Sequence, residues 1–349
     1  MTKVFVLGAG FSKAVSAVMP VMDELSRHVR SELDAKNERP IPGVGTPLAE
    51  NFEQWLSYLV EAPPWLTEAE RALNRWGFIT LTDTVYDVLW KLQLRALQSP
   101  CPDWLQALVR YWQNNSCTVI TFNYDLVVEI AHAVFTNHAL APMYSVPITF
   151  MNARDNMVLG REKTDEGLRL LKMHGSLNWR YSGPGGPPGD IVYEVGYESS
   201  GHSAVPIHRA EKWDVQAVSG SVDDGSPAES DRVPMIVPPT TVKSPYYVNQ
   251  TLQLVWRQAA HALRNAEELV LMGFGLPPTD LLVASLLATN FPLSESSIIT
   301  PVDYSEEIVG RVRSVFTLEK DDDRVISKFA GLEENAIPEW VKQFVTGVT

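Results

Sequence analysis

A short apolar strand that ends at a glycine-rich turn most strongly constrains the fold of this 349-residue chain. Residues 4–7 are apolar β-formers, Gly8, Ala9 and Gly10 follow at once, and the next residues are compatible with a helix. This order predicts a strand, a tight turn and a helix. Glycines let the backbone approach an anion closely, and a helix N-terminus supplies unpaired N–H groups and a positive field. The stretch therefore predicts the start of an α/β nucleotide-binding domain, with an ordinary βα turn as the alternative.

The turn alone does not identify a ligand. In the dinucleotide fingerprint Gly-x-Gly-x-x-Gly the third glycine is replaced here by Lys13, and no acidic residue ends an obvious second strand about twenty residues later.

Composition excludes several classes of protein. With 45% hydrophobic and 20% charged residues, the chain is typical of a globular protein with ample core. Its formal charge of −13 argues against direct non-specific nucleic-acid binding and against an anionic membrane surface. It has no signal pattern and no apolar run long enough to span a bilayer, so we expect a cytoplasmic protein. Its two cysteines, Cys101 and Cys117, cannot form a four-thiolate zinc site.

Polar residues follow the ends of two further predicted strands. Asn123 and Asp125 come after a strand over 117–121, and His174 comes after a strand over 168–173. Because the carboxyl ends of parallel strands meet at one edge of a sheet, we expect these residues to share a crevice with Gly8–Ser12. Histidine suits acid–base chemistry because its pKa lies near neutrality. Helix capping is the alternative role for Asn123 or Asp125.

The last two predicted strands end in similar turns. Residues 268–272 run into Gly273 and Phe274, and Asp280 is placed to cap the next helix. The strand over 298–302 ends at Asp303, which would bind a ribose or act as a cap.

The remaining segments complete the predicted fold. Residues from about 20 to 115 are predicted to form a helical insertion, with helices over 23–33, 51–60 and 82–97. Six of the ten tryptophans lie between Trp55 and Trp112, and core packing is favoured over ligand stacking. A flexible loop is predicted over about 182–234, and a tail, 311–349, that packs on or extends the domain. The fold class is α/β, a Rossmann-like, mostly parallel sheet with a helical insertion after the first strand and no zinc module.

Four ordered segments carry a family resemblance. They are Gly-Ala-Gly-Phe-Ser at 8–12, Thr-Phe-Asn-Tyr-Asp at 121–125, His-Gly-Ser at 174–176 and Gly-Phe-Gly-Leu-Pro-Pro-Thr-Asp at 273–280. Together they resemble the sirtuin superfamily and, more closely, its bacterial sirtuin-like NAD-hydrolase branch, which acts in anti-phage defence. The resemblance covers roughly residues 1–310. It implies NAD as substrate, with chemistry at the N-glycosidic bond to nicotinamide.

The resemblance also implies roles for individual residues. Asn123 would position the nicotinamide ribose or the attacking water, Asp125 would hold the carboxamide, and His174 would be the general base. The pyrophosphate would be cradled by Gly8, Ala9, Gly10, Phe11 and Ser12. The adenosine side would be lined by Gly273, Phe274 and Asp303.

Departures from the family pattern separate the candidate activities. The zinc-binding cysteines of the deacylases are absent, and the segment Val18–Leu25 stands where they carry Gly-Ile-Pro-Asp-Phe-Arg. These differences favour an NAD⁺ glycohydrolase over an NAD-dependent protein deacylase. A non-catalytic module that senses NAD or ADP-ribose is the third hypothesis, and the choice between NAD and NADP stays open.

The resemblance further implies how such an enzyme would be controlled. An effector that depletes NAD would kill its host unless it were held inactive. We therefore expect a homo-oligomer, and a separate activating or sensor protein such as an ATPase or a nucleic-acid sensor.

Overall fold

The computed structural model describes residues 2–36, 40–61, 63–136, 144, 146, 148–152, 157–160, 167–183, 185–187, 189–195, 232–241, 243 and 245–347. Most of the loop predicted over 182–234 lies outside these residues. The strands are β1 Lys3–Leu7, β2 Thr118–Thr121, β3 Thr149–Asn152, β4 Met157–Gly160, β5 Arg169–Lys172, β6 Gly175–Tyr181, β7 Tyr193–Val195, β8 Val233–Ile236, β9 Glu268–Met272 and β10 Ile298–Val302.

The helices follow the same chain order. They are α1 Ala9–Val15, α2 Met22–Lys36, α3 Pro47–Glu50, α4 Phe52–Val60, α5 Glu68–Ala96, α6 Asp103–Asn114, α7 Val127–Thr136, α8 Gln250–Arg264, α9 Leu281–Asn290, α10 Glu307–Phe316 and α11 Ala336–Val341.

A five-stranded parallel sheet forms the centre of the molecule. Its order is β10-β9-β1-β2-β5, and every neighbouring pair is parallel. Numbered by chain order within the sheet, the strands read 3-2-1-4-5, which is the order of a Rossmann-type doubly wound sheet. The strands are apolar and buried nearly throughout, as expected where helices cover both faces of a sheet. The predicted fold class is therefore confirmed. In such sheets ligands bind at the carboxyl edge where the strand order reverses, which here is the edge between β1 and β9.

A second five-stranded sheet, of order β4-β3-β7-β6-β8, was not predicted. Its strand β6 follows β5 after only two residues and pairs antiparallel with β8. The segment after His174, where we predicted no strand, is thus the start of a buried strand. β7 lies within the range that we predicted to be a loop.

The helical insertion consists of α2 to α6, between β1 and β2 in the chain. Helix α4 begins as predicted, with the Asn51 side chain accepting a hydrogen bond from the amide of Gln54 at 3.0 Å. The predicted start of α5 at residue 82 is wrong, because α5 begins at Glu68 behind a capping box formed by Thr67 and Glu70. Trp55 and Trp112 are buried in the core as predicted, whereas Trp65 is 74% exposed.

The chain after residue 310 returns to the central sheet. Val325 forms a bridge with Ile299, and the ring of Trp340 lies 5.6 Å from that of Phe5 in an edge-to-face contact. Residue 310, where we predicted the domain to end, lies inside α10 rather than between elements.

The described residues contain neither a candidate membrane-spanning helix nor a candidate metal-binding cluster. None of the helices in these ranges is both long and apolar enough to cross a membrane. In the same part of the chain, no group of three or more His, Cys, Asp or Glu side chains is arranged to hold a metal ion.

Candidate functional site

Two of the predicted segments, 8–12 and 121–125, meet in a hydrogen-bonded network at the carboxyl edge of the central sheet. Nδ2 of Asn123 donates to the carbonyl oxygen of Gly8 at 2.8 Å and to Oγ of Ser12 at 2.9 Å. Oγ of Ser12 donates in turn to Oδ2 of Asp125 at 2.7 Å. The end of β1 and the end of β2 are therefore tied together through side chains, as the convergence of strand ends predicts.

Asp125 also accepts a hydrogen bond at the start of a helix. Its Oδ1 accepts a hydrogen bond from the amide of Val127 at 3.1 Å, at the start of α7. Both carboxylate oxygens of Asp125 thus have partners within the chain, and the side chain is buried. This short-range bond holds the turn before α7, and both the capping role and the predicted contact with a carboxamide stay predictions.

The glycines of the first turn serve close backbone packing against the turn that follows β9. The amide of Gly10 donates to the carbonyl oxygen of Gly273 at 2.9 Å, and the amide of Gly8 donates to that of Met272 at 3.3 Å. The amide of Phe11 donates to the carbonyl oxygen of Gly8 at 2.9 Å. A phosphate bound at this turn would therefore compete with three existing hydrogen bonds.

Phe11 and Ala9 occupy different surroundings within this turn. Phe11 is fully buried, and its ring lies 5.8 Å from that of Trp104 and 5.9 Å from that of Trp112. Ala9, the first residue of α1, is exposed. The structure thus places Phe11 in the core beneath the turn, because its ring fills the space between the sheet and α6.

His174 lies in an aromatic surrounding directly after β5. Its ring centre is 5.1 Å from that of Phe122, which stacks on Phe274 at 4.9 Å, and 6.4 Å from that of Tyr124. The side chain is buried, and its Nε2 has no hydrogen-bond partner among the described residues. A buried ring nitrogen without a partner is costly, which makes this atom a candidate contact for a polar group.

The surroundings of His174 keep its imidazole neutral. Burial, together with the positive charge of Lys243, lowers the pKa of His174 to about 3, and Asp280 opposes this with a smaller effect. The imidazole is therefore neutral at neutral pH, with a proton on one ring nitrogen and a lone pair on the other, and its pKa in this closed state lies well below that of an efficient base.

The low pKa of His174 predicts how the stability of the protein and the NMR signals of this ring depend on pH. In the unfolded chain the pKa of histidine is about 6.5. Because the folded-state pKa is lower, His174 contributes stability that is fully present above about pH 6.5 and is lost as the pH falls towards about 3. We expect the NMR signals of this ring to show no titration between about pH 5 and 8. A midpoint near 6.5 would contradict the buried, neutral state.

A buried ion pair near His174 was not predicted from sequence. Nζ of Lys243 donates to Oδ2 of Asp280 at 2.6 Å, and both side chains are buried. Asp280 also accepts from the amide of Val283 at 3.4 Å, so its predicted role as cap of α9 is confirmed. Lys243 lies in a loop without a recognisable pattern, so only the tertiary contact reveals it. The buried hydroxyl of Tyr247 also has no hydrogen-bond partner in the described part of the chain.

Asp303 stands apart from the network around Asn123. Its Oδ1 accepts a hydrogen bond from the amide of Ser305 at 3.0 Å, and its main chain forms a bridge with Ala330. Burial raises the pKa of its carboxyl. The structure thus shows Asp303 shaping its own turn, and a contact with adenosine stays a prediction.

Comparisons with known proteins gave matches among solved structures alone. No family model matches the chain, and no curated protein matches it. A Sir2 homologue in complex with NAD is 12% identical with a TM-score of 0.40, and the match covers 99% of this chain and 89% of that one. A complex of Sir2 with a p53 peptide and NAD⁺ is 14% identical with a TM-score of 0.39, covering 100% and 94%. A structure on the mechanism and regulation of Sir2 enzymes is 13% identical with a TM-score of 0.41, covering 99% and 93%. These are distant similarities, and the fold assignment rests on the strand order described above.

Proposed function

We propose that this protein is an NAD⁺ glycohydrolase, which converts NAD⁺ and water into nicotinamide and ADP-ribose. The observation that carries the proposal is the meeting of Ser12, Asn123 and Asp125 in one network at the carboxyl edge of a Rossmann-type sheet, beside a buried neutral histidine. Three of the four sequence segments that resemble sirtuin-like NAD hydrolases supply these residues.

The proposed reaction breaks the bond between nicotinamide and the ribose. Nicotinamide leaves with the bonding electron pair, and the ribose passes through an oxocarbenium-like transition state. Water adds to the ribose carbon and gives up a proton, which Nε2 of neutral His174 accepts. Fixing the ring and the attacking oxygen while excluding bulk water lowers the barrier to such a step.

The fixed amide of Asn123 suits the proposed positioning role. Its Nδ2 already donates to Gly8 and Ser12. This orientation leaves the amide oxygen as the atom of Asn123 that would accept a hydrogen bond from the water or from a ribose hydroxyl.

The closed state of the site fits a controlled effector. His174 is only 7% exposed, and three amides of the first turn are engaged within the chain. We propose that this state is the resting form of an NAD-depleting effector of anti-phage defence, acting in the cytoplasm. In this proposal oligomerisation or a separate sensor protein opens the site.

The test is chromatography of NAD⁺ after incubation with the purified protein, with and without an acylated peptide. The glycohydrolase proposal predicts nicotinamide and ADP-ribose in equal amounts, independent of the peptide. Turnover only with the peptide would identify a deacylase instead. Binding of NAD⁺ without turnover, at any protein concentration, would contradict autonomous catalysis and favour a sensing module.

A further inference from the structure

The side chain of Lys172 is completely enclosed at the end of β5. Its Nζ donates to the carbonyl oxygen of Tyr124 at 3.2 Å, to the carbonyl oxygen of Asp125, and to Oε1 of Glu129 at 2.9 Å. The exposed fraction of the Lys172 side chain is 0% and that of Glu129 is 3%. An ammonium group has three protons to donate, so these three acceptors satisfy it fully.

The bond from Lys172 to Glu129 is explained by the need to neutralise the buried ammonium. Glu129 balances the ammonium and also accepts a hydrogen bond from the hydroxyl of Tyr144 at 2.8 Å. A buried ion pair is often replaceable by apolar residues of similar volume at little cost in stability. Stability alone therefore does not account for placing a lysine at this position.

The other two bonds reach the main chain of the loop between β2 and α7. This loop, residues 122–126, carries both Asn123 and Asp125. The carbonyl groups of Tyr124 and Asp125 belong to the peptide groups on either side of the Asp125 α-carbon. Fixing both peptide planes fixes the backbone at Asp125 and so the direction of its side chain towards Ser12.

Neighbouring elements hold the same loop at other atoms. The amide of Leu177 in β6 donates to the carbonyl oxygen of Tyr124 at 3.0 Å. The amide of Leu126 donates to Oε1 of Gln93 at 2.6 Å, from the buried face of α5. Lys172 is the charged member of this set, and it is the one that contacts two successive carbonyls.

We propose that Lys172 is a positioning residue for loop 122–126, holding Asn123 and Asp125 in the geometry that the reaction needs. It does not touch the reacting atoms. The proposal rests on the proposed function, since positioning matters only if these residues act on a substrate.

The test uses the double variant Lys172→Met/Glu129→Gln. It removes both charges together, so neither is left unpaired, and the Gln oxygen can still accept from Tyr144. The matched control is Lys3→Met/Glu268→Gln, because Lys3 and Glu268 form a 2.8 Å ion pair between β1 and β9 at the opposite edge of the same sheet. Both proteins are compared with wild type in nicotinamide release and in amide hydrogen exchange.

We expect the Lys172 double variant to lose about 10–100-fold in kcat, because a small misplacement of positioned groups costs this much. Its KM for NAD⁺ should stay within about threefold of wild type, since the lost interaction acts in the transition state. Amides of residues 123–127 should exchange faster, while those of β1 and β9 should not. The control should keep wild-type kcat and wild-type loop exchange.

Three results would overturn the proposal. One is a Lys172 double variant with wild-type kcat and wild-type loop exchange. Another is an equal loss in the control, which would show general destabilisation. The third result applies if the double variant fails to fold. The single variant Glu129→Gln then tests the proposal, because it keeps the Lys172 ammonium and its two bonds to carbonyl oxygens. Faster exchange confined to residues 123–127 in this variant, at unchanged stability to urea, would show that the carboxylate holds the loop, and would overturn the proposal as well.

Failure of the proposed function gives a different result. If wild type releases no nicotinamide, the proposal of autonomous glycohydrolase activity fails, but hydrogen exchange still decides whether Lys172 holds the loop. Faster loop exchange in the Lys172 double variant, but not in the control, supports the positioning role of Lys172. Unchanged loop exchange in the Lys172 double variant overturns that role.

Discussion

Replacing His174 by alanine is expected to slow nicotinamide release from NAD⁺ by about 10²–10⁴-fold, the usual contribution of a positioned acid–base group. The imidazole is neutral because burial and Lys243 lower its pKa to about 3, and its Nε2 has no partner among the described residues. Removal of the ring removes the proposed proton acceptor without leaving a charge or a donor unpaired. Binding of NAD⁺ should therefore weaken much less than kcat falls.

The control for this variant is His132→Ala. His132 is also a buried histidine, but its Nε2 lies 2.7 Å from Oε1 of Gln113, away from the network around Asn123. We expect His132→Ala to lose thermal stability and keep the specific activity of its folded fraction. Equal activity of the two variants, measured on folded protein, would show that His174 has no catalytic role.

Replacing Gly273 by alanine is expected to destabilise the protein by at least about 3 kcal/mol, or to prevent folding. Gly273 has φ of +56°, a conformation that costs other residues roughly 1–2 kcal/mol. An added Cβ would lie 2.1 Å from the amide nitrogen of Phe11 and 2.3 Å from the carbonyl carbon of Gly10. Both atoms belong to the backbone, so no side-chain rotation relieves the overlap. The turns after β1 and β9 would have to separate.

Gly310→Ala is the matched control, and it is expected to raise the free energy of unfolding where Gly273→Ala lowers it. Gly310 is exposed within α10, and an added Cβ there would meet nothing within 4 Å. Since glycine in a helix is less favourable than alanine by roughly 0.5–1 kcal/mol, this variant should be more stable than wild type. Urea unfolding of the two variants measures both effects. A Gly273→Ala protein within about 1 kcal/mol of wild type would contradict the described packing of the two turns.

The strands of the central sheet could be predicted because each has a short apolar centre and ends at or close to a turn residue. The second sheet could not be, since β3, β4 and β7 are only three or four residues long. A usable signal did exist in β6, where Leu177, Trp179 and Tyr181 alternate with other residues.

The start of α5 was missed although its sequence contains the relevant signal. Thr67 and Glu70 have the spacing of a capping box. Gly77 and the β-branched residues around it weaken helix propensity, so the pattern favours a later start. In the folded protein the missing Cβ of Gly77 makes room for Ile41, and packing of this kind stabilises the helix despite its propensity.

The candidate site was predicted where strand ends carry polar residues, and missed where only tertiary contacts reveal a role. Ser12, Asn123 and Asp125 meet as the parallel-sheet rule requires. Lys172 and Lys243 gave no signal, because a lysine at a strand end or in a loop is usually solvated. Both are recognised only from their burial and their carboxylate partners.

The central claim is tested most directly by the rate of nicotinamide release from NAD⁺, without any peptide, by wild type and by Asn123→Ala at equal concentrations of folded protein. Asn123 links Gly8 and Ser12 to the proposed site of the reacting ribose. The account predicts measurable release by wild type, with ADP-ribose formed in equal amount, and a loss of about 10²-fold or more in the variant. Equal rates for the two proteins would contradict the proposed site, and no release by wild type at any protein concentration would contradict autonomous catalysis by this chain.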